Sequence, residues 1–374
     1  MKRFLAAMDS YKGSLSSVEA GEAVRRGILR AVPDAQVQMI PIADGGEGTA
    51  EAYLAACGGQ RVERTVTGPC GTPVRAAYAV LPDGTAVIEM AASSGLPLVP
   101  VDRRDPKVTT TRGFGELIRD ALDSGAKRFI LGIGGSATND GGTGMLRALG
   151  WRFLDKDGAE LPEGGEALAG LARIDAAADP RLRAAEILVA CDVDNPLCGE
   201  RGSSAVFGPQ KGASPADVAL LDAALDHYAD VAAAALGTDC RNDAGAGAAG
   251  GLGFALKAFC GASLVPGVDL LLETARFDEK LSRAECVITG EGSTDFQTAY
   301  GKAPVGVSRR AAKRGIPAFI ISGGLGKGYE AVYREGVTAA FSIADRPMTL
   351  EYALENAAAL LEGAAERLAR TLQV

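Results

Sequence analysis

Apolar positions first gather into short runs that alternate with helical stretches. "RFLAAMD" (3–9) is a compact apolar run, which predicts a buried strand. "SLSSVEAGEAVRRGILRAV" has helical spacing, with Ser16 or Ser17 as N-cap and Glu19 or Glu22 in the first turns. "VQMIPIA" predicts a second strand, and "GTAEAYLAACGG" a helix stopped by a glycine. Two such βα units point to a parallel sheet. The period then drops to two along "RVERTVTGPCGTPVRAAYAVLPDGTAVIEMA", where "PDG" marks a hairpin turn. Helix "TRGFGELIRDALDSG", strand "RFILGIG", a loop-rich section and strand "EILVACDV" follow, then helices near 215–236 and 250–260. The βα rhythm resumes with strand "ECVITGEG", helix "GVSRRAAKRG", strands "AFIISGG" and "TAAFSIA", and one long final helix, "EYALENAAALLEGAAERLARTL". Two strands at the start and three at the end make a five-stranded, doubly wound sheet. The expected organisation is a first α/β domain from residues 1–65 and 268–374, with 66–267 as an inserted mixed α/β domain.

Composition narrows the class. The 374 residues suggest about two domains of 100–200 residues. A net charge of −8, with acids and bases interspersed, provides no basic stripe, so neither nucleic acid nor a membrane surface is an expected partner. The seven cysteines lack any CxxC pair, which argues against zinc and disulfide frameworks and for a reducing cytoplasm. "MKRFLAAMDSYKG" turns polar too soon for a signal peptide. His227 is the single histidine and sits in a helical stretch, so acid and base work falls to Asp, Glu or Lys.

Ligands of open parallel sheets lie beyond the carboxyl ends of the strands. Three loops there are acidic and glycine-bearing: "DSYKGS" with Asp9 and Lys12, "ADGGEGT" with Asp44 and Glu47, and "GEGSTDFQTAYGK" with Glu291, Asp295 and Lys302. Carboxylates for Mg²⁺, with lysines and backbone N–H groups for phosphates, suit a metal-bound polyphosphate. A fourth loop, "LGIGGSATNDGGTG", packs six glycines around Ser136, Thr138, Asn139 and Asp140, donors suited to an anion or a hydroxy acid. "GIGGSA" also fits GxGxx[GA] after a strand, with Asp155 and Asp157 about 20 residues on, which keeps a dinucleotide oxidoreductase open. A non-catalytic sensor of hydroxy acids is a further alternative. Walker A is absent.

"DSYKGSLS", "PIADGGEGT", "MAASSGLPLV", "TTRGFGELI", "GIGGSATNDGGTGM", "CDVDNPLCG", "FGPQKGA", "GAAGGLGF" and "VITGEGSTDFQTAYGKAPVGV", in this order, resemble the glycerate kinases of the bacterial type I family. The resemblance implies ATP-dependent phosphorylation of D-glycerate at its 2-hydroxyl. It also implies a flavodoxin-like domain with a restriction-endonuclease-like domain inserted, in a monomer or homodimer. One departure is local: Ser293 and Tyr300 stand where relatives more often carry a basic residue and a histidine. On this footing the substrate carboxylate is expected among Ser93, Ser94, Arg112 and the loop Gly134, Gly135, Ser136, Asn139, Asp140. Asp192 is expected to orient the hydroxyl or act as base, and Lys12 and Lys211 to neutralise phosphate charge. Gly45, Gly46, Gly290, Gly292 and Lys302 are expected to bind nucleotide, and Asp44, Glu47 and Asp295 to hold Mg²⁺.

Overall fold

The computed structural model describes residues 2–176 and 179–373. Its contacts divide the chain into two compact units: 1–44, 51–58 and 268–374 form the first, and 45–50 with 59–267 the second. Strand Gln60–Thr67, which contains the expected boundary at residue 65, pairs within the sheet of the second unit.

The first unit carries five parallel strands, in spatial order Gln36–Met39, Arg3–Met8, Cys286–Gly290, Ala318–Ser322 and Ala339–Ser342. In chain order this is 2-1-3-4-5, the flavodoxin-like arrangement. The central strands are almost wholly buried, as a parallel sheet covered on both faces requires, while the two outer strands keep exposed positions. Ser16 caps helix Ser17–Ala31 through a reciprocal box: its hydroxyl accepts from Glu19 N–H, and its own N–H donates to the Glu19 carboxylate at 2.8 Å. That helix packs on Ala357–Thr371, with Gly27 permitting close backbone approach at Glu362. The long final helix expected from its spacing is two helices, Leu350–Glu355 and Ala357–Thr371. Asn356 divides them, its side-chain amide donating to the Tyr352 carbonyl at 2.9 Å.

The second unit carries a six-stranded mixed sheet in the order Ser263–Val265, Glu186–Ala190, Arg128–Gly132, Ala86–Glu89, Pro73–Val80, Gln60–Thr67. The first four run parallel, and the last two join antiparallel. Gly84, at φ +84°, turns "PDG" between two of them. An antiparallel pair, Trp151–Leu154 with Arg173–Ala176, stands within the stretch expected to be loop. Each unit encloses its own apolar core.

Among the described residues no helix is long and apolar enough to cross a membrane.

Candidate active site

In the first unit, the loops leaving the strand ends gather carboxylates. Asp9 follows the first strand and its N–H donates to the Gly290 carbonyl at 2.9 Å. Burial raises the Asp9 carboxyl to about 7, the nearby Asp44 and Glu291 charges push the same way, and the Ser10 N–H and Lys12 oppose them. Glu291 is buried and accepts hydroxyl donors from Thr298 at 2.7 Å and Thr294 at 3.2 Å. Its pKa is raised, first by burial, with Thr298 and Lys302 pulling down and Asp295 adding. Tyr11 donates its phenol to the Ile321 carbonyl at 2.6 Å, which pins this loop across the sheet edge. Lys12 and Lys302 are exposed on the same loops. Negative charge thus accumulates at one sheet edge with two lysines beside it.

In the second unit the fourth loop is tied down on every side. Gly134 N–H donates to the Gly45 carbonyl at 3.0 Å, Leu96 N–H to Gly135 at 2.8 Å, and Ala137 N–H to Ser94 at 3.0 Å. Side chains at Gly132 or Gly134 would stand 2.6 and 2.8 Å from the Gly45–Gly46 backbone. Farther along, Asn139 donates its amide to Ser204 Oγ at 3.0 Å, and Lys211 Nζ donates to the Thr138 carbonyl at 2.6 Å. Gly141 N–H reaches the Gly250 carbonyl at 2.9 Å. Gly250 belongs to a left-handed turn of three residues in which Ala249 has φ 52°, a strained value for a residue with a Cβ.

Asp140 is fully buried and its carboxylate is saturated. Oδ2 accepts the Thr111 N–H at 2.9 Å, the Thr111 hydroxyl at 2.8 Å and the Gly144 N–H at 3.1 Å, while Oδ1 accepts the Gly142 N–H at 3.1 Å. Burial still raises its pKa against those donors. The same unit holds buried polar atoms with no partner: the hydroxyls of Ser93, Ser94, Thr138 and Ser203, and Asn139 Oδ1, on residues that are all 0 % exposed. Buried polar groups left unpaired cost about 1–3 kcal/mol each, so such a concentration marks a place completed by a polar ligand or ordered water.

A sequence profile of the glycerate kinase family matches residues 4–373. The chain belongs to the glycerate kinase family. It is 50 % identical over 374 residues to the glycerate kinase of Bacillus subtilis (strain 168), covering 100 % of this chain and 98 % of that one. It is 47 % identical over 374 residues to the glycerate 2-kinase of Escherichia coli (strain K12), with the same coverage. Its fold is similar, with a TM-score of 0.89 and 47 % identity, to a crystal structure from Salmonella typhimurium LT2 provisionally assigned as glycerate kinase 2, covering 100 % of this chain and 98 % of that one.

The expected site residues of this family member now have places. Asp44 lies close enough to raise Asp9, and Asp295 to raise Glu291, whereas Glu47 groups with the second unit and acts on Glu89. Glu89 went unnoticed in the sequence because a lone acid ending "AVIEM" has no motif. Its half-buried carboxyl, raised by burial, accepts the Ala50 N–H at 3.2 Å and so caps helix Thr49–Cys57. Arg112, expected as a carboxylate clamp, is committed to an ion pair with Glu163. Gly45 and Gly46 are spent on the backbone: Gly45 meets Gly134 and Ala190, and the Gly46 carbonyl accepts the Thr49 hydroxyl at 2.7 Å. Gly290 is required because a side chain there would strike the Ile321 carbonyl. A side chain at Gly292 would stand 3.5 Å from the Lys12 backbone, and Lys302 is the N-cap residue of helix Ala303–Ala312. Ser136 is buried beside Gly95, to which it bridges. Asp192 is exposed, and its Oδ1 accepts the Gly267 N–H at 2.9 Å. Asp155 accepts from Asp157 and Ala159 N–H in a turn, and the "GIGGSA" glycines serve backbone packing, so the features that suggested a dinucleotide have structural partners. His227 hydrogen-bonds the Leu171 carbonyl through Nε2 at 2.7 Å.

Proposed function

We propose that the chain transfers the γ-phosphoryl group of ATP to D-glycerate, at the 2-hydroxyl, to give 2-phosphoglycerate. The observation that carries this reading is the carboxylate cluster Asp9, Asp44 and Glu291 with Lys12 and Lys302 at one sheet edge. Phosphoryl transfer asks a protein for positioning and charge neutralisation more than for covalent help. The 2-position is supported by the Escherichia coli relative, whose name specifies it.

A divalent cation fits this cluster by the chemistry of its donors. Mutually repelling carboxylates that raise one another's pKa favour a hard cation among their oxygens. Among the described residues no group of three or more acids, cysteines or histidines could by itself hold a metal ion. That agrees with Mg²⁺, which takes one or two carboxylates and fills its remaining positions from phosphate and water. Asp9 and Asp44 would hold it, and when bound it supplies charge neutralisation at the phosphates.

The chain's own residues do the rest. Lys12 and Lys302 offset phosphate charge. Ser93, Ser94, Thr138, Asn139 and Ser203 provide hydrogen bonds that a small hydroxy acid can satisfy. Asp192, held by the Gly267 N–H at its Oδ1, orients the reacting hydroxyl. Asp192→Asn is expected to lower kcat by about 100-fold with the ATP dissociation constant unchanged. Unchanged turnover would remove Asp192 from this role.

The reaction itself is tested by coupled ADP release with Mg-ATP and D-glycerate, with phosphorus NMR of the product. Glycerate-dependent ADP with a 2-phosphate signal is expected. A 3-phosphate would overturn the position, and absence of ADP would overturn the reaction.

A further inference from the structure

Lys211 is 1 % exposed, and its ammonium makes one hydrogen bond, to the Thr138 carbonyl at 2.6 Å. An ammonium has three donors, so two are unspent. Among the described residues Lys211 forms no ion pair. The charge that acts on it is that of Asp140, whose two oxygens already accept four donors from Thr111, Gly142 and Gly144. A fully buried cation without a bonded counter-ion is costly to keep, and stability alone offers no reason for it. The missing partner is an anion that arrives with a ligand.

The surroundings specify which anion. The Thr138 hydroxyl, Asn139 Oδ1 and the Ser203 hydroxyl have no partners and flank the same stretch of chain: Lys211 holds Thr138, and Asn139 holds Ser204. They are neutral and short, and suit hydroxyl groups. A carboxylate on a hydroxyl-bearing carbon chain satisfies the set: its oxygens take the two unspent N–H donors, and its hydroxyls take the orphaned atoms. We propose that Lys211 receives the carboxylate of the hydroxy-acid substrate rather than the phosphate charge for which its sequence context suggested it. The proposal rests on the phosphorylation reading above, and it identifies what makes the enzyme select an acid over a neutral polyol.

D-glycerate and glycerol test it, since they differ by a carboxylate against a CH₂OH. Wild type and K211M are compared by ADP release with each acceptor, by KM for ATP, and by thermal unfolding with each acceptor in the absence of nucleotide. K211M is expected to lose about 100-fold in kcat/KM for D-glycerate, the scale of a lost charge-assisted hydrogen-bonded contact, with KM for ATP unchanged. D-glycerate alone is expected to raise the Tm of wild type but not of K211M, and glycerol to raise neither. Undiminished kcat/KM for D-glycerate, or a defect confined to KM for ATP, overturns the proposal while the kinase reading stands. Should wild type form no ADP with D-glycerate, the kinase reading fails. The nucleotide-free Tm shift then still decides whether Lys211 holds the carboxylate. K211Q, which keeps a donor without the charge, replaces K211M in the Tm comparison if the latter does not fold, and a full D-glycerate shift in K211Q overturns the proposal.

Discussion

Replacing Asp140 with alanine is expected to lower the unfolding free energy by about 3–5 kcal/mol, measured by urea denaturation. The carboxylate is fully buried and joins the starts of two helices: Thr111 before helix Arg112–Asp123, and Gly142 and Gly144 at the start of helix Thr143–Ala148. A second tier hangs on it, because the Thr111 hydroxyl that donates to Asp140 also accepts the Met145 N–H at 2.9 Å. Alanine leaves four donors facing a void, each costing its own desolvation. Asp140→Asn discriminates this account from a simple loss of charge. An amide oxygen in the Oδ2 position keeps three of the four donors, and only the Gly142 N–H faces an NH₂ group. Asparagine is therefore expected to cost less than half of what alanine costs. Equal losses would show that the negative charge, not the hydrogen-bond geometry, is what the fold uses.

That role cannot be seen in the sequence, where Asp140 reads as a ligand contact, although the fold around it is legible. Strands Arg3–Met8, Arg128–Gly132, Cys286–Gly290 and Ala318–Ser322 stand out because apolar runs bounded by polar turns are a local signal. The 2-1-3-4-5 order then follows from where the βα rhythm stops and resumes. The weaker strands Trp151–Leu154 and Arg173–Ala176 escape because each is short and their partnership spans a long loop. Side-chain commitments are long-range in the same way. Nothing near Arg112 announces Glu163, and nothing near "GIGGSA" announces that Gly45 and Gly46 press against it. Glycine density reads identically whether the backbone approaches a ligand or another backbone. In this loop a side chain at Gly132 or Gly134 would strike backbone, while the orphaned hydroxyls of Ser93, Ser94, Thr138 and Ser203 are the features left for a ligand. The acidic loops are different: strand ends impose their proximity, so Asp9, Asp44 and Glu291 could be grouped from topology alone.

Lys211→Met is expected to stabilise the protein at pH 6.5 by about 4 kcal/mol, with the gain disappearing by about pH 10.5. Burial lowers the lysine from its ordinary 10.5 to about 7, against the opposing pull of Asp140. Below pH 7 the folded and unfolded states both hold the proton, so the fold bears the whole cost of enclosing a charge. Between about 7 and 10.5 the unfolded chain is protonated and the folded one is not, so wild-type stability rises with pH. Above that range both states are neutral and the penalty is gone. Methionine has similar length and no charge, so the difference between the two proteins isolates this one group from every other titration. Denaturation midpoints at intervals from pH 6.5 to 10.5 trace the curve. A difference that does not change with pH would mean the folded lysine titrates as the unfolded one does, its ammonium solvated, and the case for a receptor built at the expense of stability would fall with it. A shrinking difference would mark Lys211 as a group the fold tolerates rather than uses, which is the behaviour of residues retained for their ligands.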